Sequence, residues 1–386
     1  VTRLTLTDFR CHDLLRLTVS DGAIALVGAN GCGKTSVLEA ISLLAPGRGL
    51  RRARLAEIGR WQGSDRRGAP WAVAARLLGP RGAVDVGTGI ELGSAGDRRI
   101  VRVDGAPLRG QAGLAEVVSI LWLTPDMDRL FHETPAVRRR FFDRIVYGFD
   151  AAHAARVSAY ERAMRERSRL LAQPAADSQW LAALERTMAI EGTSIAAARR
   201  AIATKLSAGN GAADRQTFPR ATLSVVGSVE GWLASQDATL VVERFAAALA
   251  AARAADASAG ATTVGPHRSD LSVWHAATGR AARDCSTGEQ KAMLIAIVLA
   301  AARLLAEARG TPPILLLDEV TAHLDDRRRR ELFDAVTALR GQAWYAATDR
   351  TTFAALSPAV ELLDLEQLRR ASREGASGCE GAVSNG

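Results

Sequence analysis

The chain has 386 residues, 48% of them apolar and 24% charged, enough for a large core shared between two lobes or domains. No apolar run approaches the roughly 20 residues of a membrane span, and the opening Val1-Thr-Arg-Leu-Thr-Leu lacks a signal-peptide core, so a cytoplasmic protein with no membrane partner is expected. The net charge of +8 suits a polyanionic partner such as nucleic acid; because the only lysines are Lys34, Lys205 and Lys291, part of that basicity reflects a general preference for arginine.

In chain order, residues 4–7 and 15–19 alternate as strands do, and Ala23-Ile24-Ala25-Leu26-Val27 reads as a short buried strand. It runs into Gly28, Ala29, Asn30, Gly31, Cys32, Gly33, Lys34, Thr35, which fits G-x-x-x-x-G-K-[ST] at every fixed position. Helical apolar spacing then extends from Ser36 to Leu44. Strand, glycine-rich loop and helix aim backbone N–H groups and a helix N-terminus at an anion. In such a loop Lys34 reaches the β- and γ-phosphates of a nucleoside triphosphate, and the Thr35 hydroxyl ligates Mg²⁺. Arg10, Arg51 and Arg52 are further cations with a possible place near the phosphates.

Residues 71–78 and 117–123 read as strands, and Asp104-Gly105 marks a hairpin turn after Ile100. From Pro125 to about Ala255 the texture becomes helical, with segments near 135–171, 177–207 and 228–255 and turns at Gln173-Pro174 and Gly209-Asn-Gly211. Arg138, Arg139 and Arg140 either touch phosphates or form a solvated face. From 262 the chain returns to strands, and His267 and Arg268 of Gly265-Pro266-His267-Arg268 are candidates to face nucleic acid or nucleotide.

Cys285-Ser286-Thr287-Gly288-Glu289-Gln290 opens an apolar helix. Ser286 and Gly288 equip its N-terminus for a phosphate, although a plain capping box of Thr287 with Gln290 is the simpler alternative. Ile314-Leu-Leu-Leu-Asp318-Glu319 is a buried strand ending in two carboxylates. Asp318 is the candidate to hold Mg²⁺ and Glu319 to orient or deprotonate an attacking water. A helix is expected at 327–340 and a disordered tail from Glu374. Cys11, Cys32, Cys285 and Cys379 are isolated from one another and read as reduced thiols without a role.

These motifs, in this order, resemble the ATP-binding-cassette ATPases. The resemblance implies that Ser286 and Gly288 bind the γ-phosphate held by an opposite subunit, so that a homodimer shares two ATP sites. Ala322-His323-Leu324-Asp325 matches the family's interface loop. Asn30 within the phosphate loop is similar to the SMC and RecF branch. The opening Leu4-Thr-Leu-Thr-Asp-Phe9-Arg10, the segment Leu123-Thr-Pro125-Asp126 to Asp143, and Gly265-Pro-His-Arg resemble RecF over roughly residues 1–365.

The implied fold is α/β, a P-loop ABC/SMC-type ATPase head with an inserted α-helical lobe. The head is divided as 1–124 and 261–370 around a helical lobe at 125–260, with 371–386 as tail. The RecF resemblance also implies a weak DNA-stimulated ATPase acting as a switch in recombinational repair and replication. It would bind ATP and Mg²⁺, double-stranded DNA and single-/double-strand junctions, and act with RecR and RecO to assist RecA loading. An ATPase subunit energising a membrane transporter is the alternative, against which the long helical insert and Asn30 count. Two departures stand out: Thr348-Asp349 replaces the usual histidine after the following strand, and Asp126 is the nearest candidate for the usual linker glutamine.

Overall fold

The computed structural model describes residues 1–61, 69–79, 82–93, 97–174, 177–209, 218–322, 324–356 and 360–368. His323, Asn210, Gly211 and the expected tail beyond Glu374 lie outside the described residues. In chain order the elements begin β1 (Arg3–Phe9), β2 (His12–Thr18), β3 (Ala23–Val27), α1 (Lys34–Ser42), α2 (Leu55–Ile58), β4 (Ala72–Gly79), β5 (Gly82–Glu91), β6 (Arg98–Val103), β7 (Ala106–Pro107), α3 (Leu114–Val117) and β8 (Ile120–Leu123). They continue with α4 (Pro135–Phe149), α5 (His153–Leu171), α6 (Ser178–Gly209), β9 (Ala221–Val226), α7 (Ser228–Trp232), α8 (Ala238–Ala251), α9 (Arg253–Ala259) and β10 (Asp270–His275). Last come α10 (Thr287–Arg309), β11 (Ile314–Asp318), α11 (Asp326–Ala338), β12 (Ala343–Ala347) and β13 (Val360–Asp364).

The chain forms two compact units, 1–127 with 305–386, and 128–304. Among the described residues of the first, a parallel sheet runs β13-β3-β12-β11-β8 and an antiparallel sheet runs β2-β1-β4-β5-β6-β7. All five residues of β11 are buried, as are all five of β12, which is why both read as continuous apolar runs. β1 and β4 instead alternate, burying Leu4, Leu6, Val73 and Ala75. That inner face joins Val37, Leu38 and Ile41 of α1 with Ile24 and Leu316 of the parallel sheet in one core. The expected strand at 117–123 is shorter: Leu114–Val117 is a helical turn and only Ile120–Leu123 pairs, with β11.

The second unit differs from the lobe expected at 125–260. It extends to Leu304 and takes in β10, which pairs antiparallel with β9 inside the stretch that reads as helical. The long segment at 135–171 divides between Phe149 and His153. Its interior is organised around charge as well as apolar packing. Arg167 on α5 is fully buried; its Nε lies 3.0 Å from Glu185 Oε1, its Nη1 2.7 Å from Asp256 Oδ2, and its Nη2 donates to Leu249 O at 2.7 Å. Arg253 closes the network on Glu185 at 2.6 Å. An Arg167→Ala substitution leaves two buried carboxylates without their central cation, so urea unfolding of the variant should show a loss of about 3–5 kcal/mol. A loss below about 1 kcal/mol would show that water replaces the guanidinium.

Candidate nucleotide site

The loop between β3 and α1 is shaped by its glycines. Gly33 has φ +106°, and a Cβ there would come within 2.4 Å of His12 Nε2 and 2.7 Å of Cys11 Sγ, so the β1–β2 hairpin closes on the loop from below. Lys34 Nζ donates to Gly28 O at 2.6 Å and Ala29 O at 3.0 Å, which holds the ammonium against the loop. Cys32 Sγ sits 4.0 Å from that ammonium, buried in the loop rather than exposed for chemistry. Ser36 is likewise buried, in the first turn of α1.

Thr35 Oγ1 donates to Asp318 Oδ1 at 3.2 Å, bringing together the two oxygen ligands expected for a divalent cation. Burial pushes the Asp318 carboxyl up to about 6; the neighbouring Glu319 charge adds to this, while the Thr35 hydrogen bond, Arg51 and Lys34 pull it down. Hard oxygens at the end of a buried strand, beside a phosphate-type loop, are a donor set that fits Mg²⁺, which keeps several ligands from water and substrate phosphates. Glu319 takes a left-handed backbone, φ 48°, and its N–H donates to Ala346 O at 3.0 Å. Asn30, Gly31, Gly33, Lys34, Thr35, Ser36 and Glu319 line one open cavity of about 570 Å³.

Arg10 and Arg51, two of the cations expected near the phosphates, line the same cavity and are engaged by an acid. Arg10 forks onto the buried Glu39 carboxylate, Nε–Oε2 at 2.8 Å and Nη2–Oε1 at 2.6 Å, and Arg51 lies 3.6 Å from the same group. Both therefore brace α1 through a buried acid. Trp61, 59% exposed, lines the same cavity without any motif to announce it. Thr348, standing where the usual histidine would be, donates to Asn30 Oδ1 at 3.3 Å, tying the end of β12 to the phosphate loop. Glu366 accepts the Ala29 N–H at 3.0 Å.

Ser286 and Gly288 belong to the second unit, at the exposed start of α10. The capping box there is Ser286 with Glu289, not Thr287 with Gln290: Glu289 Oε2 accepts from Ser286 N at 2.8 Å and Ser286 Oγ at 2.9 Å, and Ser286 Oγ accepts from Glu289 N at 3.3 Å. Gln290 instead turns inward onto Cys285 O at 2.8 Å. Lys291 Nζ lies 3.1 Å from Asp128.

Two stretches with candidate roles in nucleic-acid contact have most of their side chains engaged within the protein. Arg138 grips Asp270 through two hydrogen bonds of 2.8 and 2.7 Å, and Arg139 donates to Ser269 O, leaving Arg140 as the exposed member of the triplet. His267 Nε2 lies 2.9 Å from Thr262 O and so carries the proton, while Nδ1, 2.7 Å from Tyr160 Oη, accepts. Burial holds this imidazole below its ordinary pKa, as a neutral strut. Gly265, φ +139°, is needed because a Cβ would meet Tyr160 Oη at 2.3 Å. Arg268 donates to Thr262 O at 3.0 Å.

The parallel sheet, phosphate-type loop and acidic strand end define the fold of a P-loop ATPase head of the ABC/SMC class. Family models agree: an AAA domain matches residues 3–65, and a SbcC/RAD50-like Walker B motif matches residues 263–338. The DNA replication and repair protein RecF of Mesorhizobium japonicum is 46% identical over 367 residues, covering 95% of this chain and 96% of that protein. RecF of a Caulobacter species is 46% identical over 363 residues, covering 91% and 92%. A solved structure of the recombination mediator protein RecF with ATP matches with a TM-score of 0.77 at 21% identity, covering 91% of this chain and 92% of that one, and shows the same fold. The chain belongs to the RecF family of DNA replication and repair proteins. That membership leaves the transporter-subunit alternative without support.

Proposed function

We propose that the chain is an ATP-controlled DNA-binding switch of recombinational repair and replication, in which ATP closes a homodimer on DNA and slow hydrolysis reopens it. The carrying observation is the convergence of Lys34, Thr35 and Glu319 at one cavity, with Asp318 hydrogen-bonded to Thr35, in a chain of this family. Residues 28–36 supply the backbone donors and the Lys34 charge that bind the triphosphate. Thr35 and Asp318 would hold Mg²⁺, which when bound neutralises phosphate charge. Glu319 orients and deprotonates the attacking water. Ser286 and Gly288, exposed at a helix N-terminus, complete the site of a second copy.

The proposal extends to action at single-/double-strand junctions in the cytoplasm, with RecR and RecO, to assist RecA loading; membership of a DNA replication and repair family is what favours it. Thr348 in the histidine's place accounts for slow turnover, because a hydroxyl bonded to Asn30 is neither a cation nor a base. The test is binding of gapped and blunt duplexes with and without ATP across a salt series. Binding that ignores ATP would overturn the switch.

Trp61 gives the cavity a flat apolar face suited to the nucleotide base. Trp61→Ala should weaken ATP binding about tenfold, the loss of roughly one stacking contact, while leaving inorganic tripolyphosphate binding unchanged. Equal losses for both ligands would show that Trp61 shapes the phosphate loop instead.

A further inference from the structure

The antiparallel sheet has a second face, turned away from the core and exposed among the described residues, whose cross-strand register creates an arrangement of charge that the ATP cycle does not use. Pairing places Arg16, Thr5, Ala74, Gly87 and Arg102 in one row across β2, β1, β4, β5 and β6. The adjacent row sets Arg3 directly opposite Arg76. All four arginines are exposed. Three small residues make the floor between Arg16 and Arg102, and Arg3, Arg76 and Arg102 border an open trough of about 290 Å³.

Like charges directly opposed on neighbouring strands destabilise a sheet, and the single neighbouring carboxylate of Asp85 offsets part of that cost. Of the four, Arg76 is ion-paired among the described residues, with Asp85 at 3.8 Å. Asp104, at the turn after β6, accepts the Asp85 N–H, and Glu91 further along the face faces Arg98 at 3.6 Å. The local balance around the trough is therefore positive. Arg16 and Arg102 stand four strand spacings apart, about 19 Å.

We propose that this face binds the phosphate backbone of duplex DNA, resting on the reading of the chain as a DNA-binding member of its family. A convex, densely anionic rod fits a shallow trough with a floor of Thr5, Ala74 and Gly87, and arginines on both sides reach its phosphates. The outward positions of β1, β2, β4, β5 and β6 carry Arg, Thr, Leu, Ala, Asp, Gly, Glu and Ile and no aromatic ring. A single strand would require stacking platforms that this face does not have.

The test uses the full chain with ATP, a fluorescent duplex and a single strand of equal length, titrated by anisotropy at several salt concentrations. The variant R3A/R16A/R76A/R102A should bind duplex at least about tenfold more weakly, and its log K against log[salt] slope should flatten by about 3.6, near 0.9 per lost phosphate contact for four arginines. Single-strand affinity should change less, and ATP binding should be unaltered. The matching Arg→Lys variant should restore most duplex binding, because a point charge serves a phosphate; it also separates charge loss from misfolding. Wild-type affinity and slope in the alanine variant overturn the surface while leaving the switch intact. Failure of the wild type to bind duplex at all overturns both. An equal loss for single strand and duplex overturns the duplex assignment.

Discussion

A Lys34→Met variant is expected to bind ATP about 10- to 100-fold more weakly, the worth of a charged hydrogen-bond donor, and to stay monomeric where ATP dimerises the wild type. Lys34 is buried, and its ammonium is fixed by Gly28 O and Ala29 O rather than by a carboxylate. Among the described residues no salt bridge holds Lys34, so its charge can serve the phosphates. Methionine keeps most of the apolar stem and deletes the charge, which separates binding from packing. A thermal midpoint within a few degrees of wild type should accompany the loss. Because the proposed second half of each site comes from another copy, the lost ATP affinity and the lost dimer must appear together. Light scattering that finds ATP-dependent dimers of normal abundance in the variant would dismiss the shared site.

The parts of this site legible in the sequence are those where chemistry restricts residue type over a short span. The loop at residues 28–35 and the Asp318-Glu319 pair are adjacent to apolar runs; β11 is buried throughout and β3 from Ile24 onward, as such runs require. Contacts between distant segments were not legible. Nothing local says that Thr348 meets Asn30, that Arg10 braces Glu39, or that Arg138 grips Asp270. A basic triplet looks the same in sequence whether its partner is DNA or an aspartate far along the chain. The strands that escaped notice have a related cause. β5 carries Gly82, Gly87 and Gly89, poor strand formers held in place by β4 and β6 on either side. β9 alternates over only six residues within helical surroundings and depends on β10 for its pairing. The helix-like texture of 125–260 therefore hid β9 and its pairing with β10, both within the second unit.

Replacing Glu319 by glutamine should lower ATP turnover by about 10²- to 10⁴-fold, the usual contribution of a positioned general base, while ATP still binds and the closed dimer persists. Glutamine preserves the length of the side chain and asks nothing new of the backbone, which matters at a residue with φ 48° whose N–H is committed to Ala346 O. A second readout comes from Asp318, whose pKa of about 6 is raised first by burial and also by the Glu319 charge. Cation binding requires the ionised carboxylate, so Mg²⁺-dependent ATP affinity should fall as pH drops through about 6 in the wild type. Glutamine removes the like charge, lowers the Asp318 value, and should carry that acid limb to lower pH. The two readouts are independent: a variant that merely disturbed the strand end would lose turnover and ATP affinity together, with no downward movement of the pH limb. Rapid residual turnover with the dimer still reopening would take Glu319 out of the hydrolytic step and leave water activation to another group lining the cavity.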